Sequence, residues 1–106
     1  MVTVNDIQAG KLLARNAAIE MYQQVGERDA CGFGWVEVYV DRTNSKQAKE
    51  LIAAGFRKDY KPRCLSMWDP AGVPTQSISV KEAGADAYAK YLTALGLKAY
   101  GCSRLD

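Results

Sequence analysis

The chain contains no histidine among its 106 residues. This absence excludes Ser-His-Asp and Cys-His catalysis, histidine-ligated metal sites and the most common general base near neutral pH. Chemistry that uses a carboxylate, a lysine, a tyrosine or a thiolate is still open. The composition nevertheless favours a protein that is not an enzyme.

Cysteine is also scarce, with Cys31, Cys64 and Cys102 standing far apart. An odd number at wide spacings is not typical of a disulfide framework or of paired zinc ligands. We therefore expect reduced structural cysteines, no metal site and no cofactor. One alternative stays open: Cys31, close to Arg28 and just before a strand, is a candidate nucleophile for a thiol-dependent enzyme.

Long apolar runs are missing as well. No segment approaches the roughly 20 apolar residues that span a bilayer, and the first ten residues lack the basic start and apolar middle of a signal peptide. These absences predict a cytoplasmic protein without membrane contact. The length predicts a single domain over residues 1–106.

The most informative stretch that is present is "CGFGWVEVYV", residues 31–40. Its alternation predicts a strand, and both of its faces are apolar. One face carries Val36, Val38 and Val40, and the other carries Phe33, Trp35 and Tyr39. Glu37 and Asp41 lie roughly 13 Å apart at strand rise, too far for a paired acid and base, so we expect them at the surface. The aromatic face is either a second buried layer or a binding site.

From residue 31 onward the elements are predicted as strand, helix, strand, strand, helix, strand, with strands at 33–40, 63–68, 77–80 and 97–102. This order predicts an α+β fold in which an N-terminal helix, residues 1–27, precedes a ferredoxin-like βαββαβ core, residues 31–106. Its sheet has four mainly antiparallel strands. The first and last strands are then antiparallel neighbours, which brings Cys31 close to Cys102.

The ends of these elements are predicted from capping residues. Asn5 is expected to cap the first helix and Gly26 to end it, while Ser79 opens the last helix in a capping box with Glu82. Pro62 has no backbone N–H and is disfavoured in a central strand. The strand at 63–68 is therefore expected at a sheet edge.

The aromatic face has two structural interpretations. The N-terminal helix has a wide apolar arc and is expected either to fold across this face or to contact a second copy of the chain. A homo-oligomer formed through that helix, or through paired aromatic faces, would bury the same aromatic side chains.

A third interpretation is single-stranded nucleic-acid binding. The segment "CGFGWVEV" matches the RNA-recognition signature at its glycines, at Phe33 and at Val36, and departs from it at Cys31, Trp35 and Val38. The signature belongs on the third strand of such a sheet, whereas this segment is the first. The strand expected at "QSISV" also offers no aromatic partner.

Positive charge is concentrated between Asp41 and Arg63, where seven basic residues stand against three acidic ones. Such a patch is either a solvated face or a site for an anion or a nucleic acid. The candidate binding residues, for a macromolecular partner or a nucleic acid, are therefore Phe33, Trp35, Tyr39, Arg57, Lys58, Tyr60, Lys61 and Arg63.

Several segments resemble a family of small proteins from tailed bacteriophages and prophages, whose members carry a Cys-Gly-Phe-Ala-Trp-Val stretch and end in Ser-Arg-x-Asp. The matching segments are "CGFGWV" (31–36), "QS" (76–77), "KEA" (81–83), "GLKAY" (96–100) and "SRLD" (103–106). Gly34 stands where the family usually has alanine. The resemblance implies a viral origin and expression in a bacterial cytoplasm, and it brings no catalytic or binding residue with it.

The sequence as a whole therefore predicts a non-enzymatic binding protein made by a phage. It is expected to act by contact with a host or phage macromolecule, with a protein partner favoured. The alternatives are single-stranded nucleic-acid binding through the aromatic face and the segment 57–63, and a thiol-dependent activity at Cys31.

Overall fold

The computed structural model describes all residues from 1 to 106. Three α-helices and four β-strands follow one another as α1 (Val4–Val25), β1 (Gly32–Tyr39), α2 (Lys46–Ala53), β2 (Arg57–Lys58), β3 (Cys64–Trp68), α3 (Ile78–Ala94) and β4 (Lys98–Leu105). The predicted α+β class is confirmed, with a helix first and a four-stranded sheet after it. None of the helices has both the length and the apolar character needed to cross a bilayer.

The strands form one sheet in the order β2-β3-β1-β4, and every pairing is antiparallel. The predicted antiparallel contact between the first and last strands is confirmed. The expected closeness of Cys31 and Cys102 is wrong, because Cys102 lies opposite Trp35. The residue across from Cys31 is Asp106, whose backbone N–H donates to the Cys31 carbonyl at 3.1 Å.

Two strand predictions are wrong. Residues 77–80 do not form a strand; they begin α3, and Ser77 rather than Ser79 caps it by accepting from the Val80 N–H. A run as short as "SISV" fits either a strand or a helix start, and the cap decides it. The segment 64–68 is the third strand, not the second, and it lies between β1 and the two-residue β2 rather than at an edge.

α1 begins two residues earlier than predicted. Thr3, not Asn5, is its N-cap, in a reciprocal capping box with Asp6, whose carboxylate accepts from the Thr3 N–H. Its predicted end at Gly26 is confirmed, with the glycine at φ 63°. The carboxylate of Asp6 and the hydroxyl of Thr3 each accept from one backbone N–H that would otherwise lack a partner.

The helices all lie on one side of the sheet. Val36, Val38 and Leu65 from the strands share one buried core with Leu51 of α2 and Tyr88 of α3. This core uses the valine face of β1, as the alternation predicts.

α1 packs on α3, touches α2 and has no strand as a neighbour. Small residues permit the close helix contact: a Cβ at Gly10 would overlap the rings of Tyr88 and Tyr91. The Tyr88 hydroxyl donates to the Ile7 carbonyl at 2.7 Å and joins the two helices. The expectation that the N-terminal helix folds across the aromatic face is therefore wrong, because its apolar arc is used against another helix.

Candidate binding face

The side of the sheet opposite the helices is the open face. Alternation along β1 and the strand register place there Phe33, Trp35, Glu37 and Tyr39 from β1, Cys64, Ser66 and Trp68 from β3, Arg57 from β2, and Lys98, Tyr100, Cys102 and Arg104 from β4. The helices pack on the other side of the sheet, and from them only the Lys81 ammonium of α3 lies near an aromatic ring of this face, 5.8 Å from the Phe33 centroid. The aromatic stretch of β1 is thus half-buried by its own strand neighbours and not by a second layer.

One end of the open face carries a tryptophan cluster, formed by Phe33, Trp35 and Trp68. The two indoles are cross-strand partners and stack with centroids 4.6 Å apart at an interplanar angle of 16°. Phe33 meets Trp68 edge-on at 5.9 Å. The Arg104 guanidinium lies 5.3 Å from the Phe33 centroid, within cation–π range, and Trp68 stays 50% exposed. This end therefore combines a rigid aromatic surface with a positive charge.

The other end carries a tyrosine pair, formed by Tyr39 and Tyr100. Their rings meet edge-on with centroids 5.9 Å apart, and Tyr100 is 57% exposed. Lys98, the cross-strand partner of Tyr39, is exposed beside them. Arg63 lines a shallow hollow at this end together with Tyr39 and Lys98.

Glu37 lies between the two aromatic groups and is only 4% exposed, so the expectation of a surface position is wrong. Its carboxylate accepts from the Trp35 Nε1–H at 2.9 Å, from the Tyr39 hydroxyl at 3.0 Å and from the Lys61 ammonium at 2.9 Å. Burial raises the pKa of Glu37, but these three donors outweigh burial and leave the pKa below its ordinary value. One buried charge thus links both aromatic groups to the β2–β3 turn.

The carboxylate in turn alters its neighbours. Its hydrogen bond raises the pKa of Tyr39 to about 12 and also raises the pKa of Lys61. Burial, followed by the charge of Glu37, raises the pKa of Cys64 to about 11. Asp59 and Cys64 have possible ligand atoms within 4.8 Å of Glu37, but the carboxylate oxygens already accept hydrogen bonds. We read this group as a hydrogen-bond network and assign no metal to it.

The predicted basic segment only partly joins the open face. Lys61 reaches it through Glu37, and Arg57 faces it from β2, opposite Ser66. Lys58 is opposite Leu65 and so points to the other side. Tyr60 is 89% exposed, with only the Lys61 ammonium near its ring, at 5.9 Å.

Cys31 lies away from the open face, in an isolated bridge with Ser77 at the start of α3. Its thiol is exposed, 3.5 Å from the Gln76 Oε1. Asp29 already occupies the start of α3, where its carboxylate accepts from the Ser77 hydroxyl at 2.6 Å and from the Ser79 N–H at 2.8 Å. These bonds lower the pKa of Asp29 to about 2. A thiol activity at Cys31 stays a prediction.

Several residues of the open face were missed by the sequence reasoning. Trp68 was placed in a strand without a register, so its position beside Trp35 could not be predicted. Glu37 offered a clearer signal, because a polar residue at the alternate position between Trp35 and Tyr39 must share their face. Lys98 could have been found by its alternation with Tyr100 inside the predicted strand 97–102, whereas Arg104 lies on this face because β4 continues to residue 105.

No family model, curated protein or solved structure matches this chain. The functional argument therefore depends on the geometry of the open face and on its charge.

Proposed function

We propose that the chain is a non-enzymatic binding protein that holds single-stranded nucleic acid on its open face. The observation that carries this proposal is an uncovered sheet face with exposed aromatic rings at both ends and unpaired cations around them. Proteins that bind single strands without strong sequence preference combine these two features, since bases stack on aromatic rings and phosphates pair with lysine and arginine.

The rings supply the stacking surface. Trp68 and Tyr100 are each about half exposed although they sit in regular strands. A ring on the neighbouring strand holds each of them in place. Trp68 stacks on Trp35, and Tyr100 makes an edge contact with Tyr39. A ring already held in place loses little conformational entropy when a base stacks on it.

The charge of the face favours an anionic ligand. Among its strand residues Glu37 is the only carboxylate, and Lys61 neutralises it. Arg57, Lys98 and Arg104 remain without an ion pair. Three unpaired cations beside exposed rings fit a polyanionic ligand better than a protein partner. The centre of a protein–protein interface is usually depleted in lysine.

The sheet supports the finer fold assignment as well. We assign the core to the ferredoxin-like arrangement on the basis of its order, β2-β3-β1-β4, and its antiparallel pairings. RNA-recognition modules stack bases on the aromatic residues of a four-stranded sheet. The aromatic residue that the expected strand at "QSISV" does not offer is supplied by residues 64–68. This segment is the third strand, and Trp68 in it lies beside Trp35.

A host or phage protein partner, favoured by the sequence, could use the same exposed rings or the exposed apolar side chains of α1, such as Leu12 and Leu13. The phage resemblance and a bacterial cytoplasmic setting also remain proposals, and they concern where the protein works rather than how. We rank nucleic acid first because of the unpaired cations, and the experiment below separates the two.

The experiment is a fluorescence titration with a twelve-residue oligothymidylate at low and high salt. We expect Trp emission to change on binding, with log affinity falling against log salt at a slope of about −2 for three phosphate contacts. Trp68→Ala should weaken binding between about 5- and 150-fold, the range for one lost base stack. Arg104→Ala should weaken it and flatten the salt slope.

Leu12→Ala and Arg15→Ala are the matched controls, since both residues are exposed on α1, which has no strand as a neighbour. They should bind like the unaltered protein. If the unaltered protein shows no response to the oligonucleotide at any salt concentration, the nucleic-acid proposal is wrong and a protein partner becomes the better interpretation of the exposed rings.

A further inference from the structure

The two edges of the sheet are very different. At one edge β2 is only two residues long, whereas at the other β4 runs for eight residues, Lys98–Leu105, and pairs with β1 alone. A long edge strand offers a row of unpaired backbone groups to another strand. The β4 edge is thus the one place in the fold where a second chain could extend the sheet.

The hydrogen-bonding pattern shows which groups are free. The Asp106 N–H donates to the Cys31 carbonyl, so the even-numbered residues of β4 direct their backbone groups toward β1. In an antiparallel ladder the alternate residues then point outward. These are Ala99, Gly101, Ser103 and Leu105. Among these backbone groups the Ala99 carbonyl accepts from a side chain, the Thr93 hydroxyl, at 3.3 Å.

We infer that a second copy of this chain occupies that edge, with the two β4 strands paired antiparallel about a two-fold axis through Cys102. The axis is perpendicular to the sheet, so residues of one face meet residues of the same face. In this register Lys98 lies opposite the partner's Asp106, and Tyr100 lies opposite the partner's Arg104. Both pairs are favourable, the first between opposite charges and the second between a cation and a ring.

The neighbouring registers lack this complementarity. An axis through Gly101 would set Lys98 against the partner's Arg104, a like-charge pair that destabilises the strands. An axis through Ser103 would set Tyr100 against the partner's Asp106, a ring against a carboxylate in place of a ring against a cation. Charge complementarity thus selects Cys102 as the centre.

The outward-facing backbone groups of β4 also pair correctly when the axis passes through Cys102. Ala99 pairs with the partner's Leu105, and Gly101 pairs with the partner's Ser103, so each free N–H and carbonyl of the edge meets a backbone partner. Cys102 then meets the partner's Cys102 as a non-hydrogen-bonded pair, with Cα atoms about 4.5 Å apart. That separation lies in the range that a disulfide can bridge.

The dimer does not rest on the proposed nucleic-acid function, but it uses residues of the same face, because Lys98, Tyr100 and Arg104 would pair with the partner chain. It leaves Arg57 and the Trp35–Trp68 stack free, and its two-fold axis perpendicular to the sheet keeps both open faces on the same side of one eight-stranded sheet. The surface also differs from the N-terminal helix and the open face, the two dimer surfaces that the sequence predicts.

A charge-swap series measured by light scattering tests the inference. The unaltered protein should have the mass of a dimer. Lys98→Glu and Asp106→Lys each create a like-charge pair and should raise the dissociation constant at least about tenfold, and the double variant should restore dimerisation. Both side chains are exposed, so the variants should fold, which far-ultraviolet circular dichroism checks.

Disulfide trapping provides the second measurement. In a Cys31→Ser background, diamide should form a covalent dimer through Cys102, and Cys31→Ser/Cys102→Ser should form none. Burial raises the pKa of Cys102, so the reaction is run at pH 9, where more thiolate is present. A monomer at every concentration, or a dimer that the charge swap does not restore and Cys102 does not trap, would overturn the inference.

Discussion

The two faces of the sheet are built from the same strands but are held together by different means. On the covered face Val36, Val38 and Leu65 are fully buried against the helices and make only apolar contacts. On the open face the aromatic side chains keep part of their surface in water and are fixed by a central carboxylate, Glu37. The covered face therefore supplies stability by excluding water, while the open face supplies a fixed arrangement of rings and charges.

The two faces should differ most in the unfolding free energy that is lost when a side chain is truncated to alanine. Leu65→Ala removes a fully buried side chain from the covered face and should lower the free energy of unfolding by about 2–5 kcal/mol. Ser66→Ala, the next residue of β3, lies on the open face and makes no side-chain hydrogen bond, so it should change stability by less than about 1 kcal/mol. Urea denaturation of both variants measures the two values. Equal losses would mean that the two faces contribute alike, contrary to the comparison.

A smaller effect concerns the spacing between the covered face and α3. A Cβ at Gly34 would lie 2.6 Å from the Lys81 carbonyl oxygen and 2.8 Å from its carbon, both backbone atoms. Gly34→Ala should therefore lower the free energy of unfolding by about 1–3 kcal/mol, as overpacking does. Lys81→Ala in the same chain should not restore it, because the close atoms are not in the side chain.

The melting temperatures of the single and double variants measure this effect. A neutral Gly34→Ala would contradict the close approach of α3 to β1.

The covered face could be predicted well from the sequence and the open face only in part. Alternation in β1 assigns Val36 and Val38 to one side and Trp35 to the other, because the period of a strand is local information. The neighbours of Trp35 depend on register, and register depends on which segments form strands. The capping serine turns residues 77–80 into a helix start, and residues 57–58 form the short second strand. The segment 64–68 is therefore the third strand, and its register with β1 sets Trp68 beside Trp35.

The position of α1 could not be derived from its own pattern. A wide apolar arc indicates two contact surfaces but does not identify them. The deciding feature is the fit of Gly10 against Tyr88 and Tyr91, a long-range match between two helices. The burial of Glu37 also depends on a long-range contact, because one of its three donors, Lys61, comes from the turn between β2 and β3.

The smallest effect is the pH dependence of stability that Glu37 contributes from the open face. A carboxylate whose pKa is lower in the folded state stabilises the fold fully above its unfolded pKa, near 4.5, and loses this contribution as the pH falls through the folded value. Glu37→Gln removes the titrating group. Its acid-side loss of stability should be shallower than that of the unaltered protein, by at most one proton or about 1.4 kcal/mol per pH unit.

Asp29→Asn is the matched control for this titration, because Asp29 also has a lowered pKa but bonds only at the start of α3. Both variants should flatten the acid side of a plot of unfolding free energy against pH. Glu37→Gln alone should shift Trp fluorescence, since Trp35 loses its charged acceptor and Lys61 its counter-ion. If Glu37→Gln leaves both the acid slope and the emission unchanged, the carboxylate does not hold the two aromatic groups in place. The open face would then be ordered by ring contacts alone, by the same kind of packing that orders the covered face.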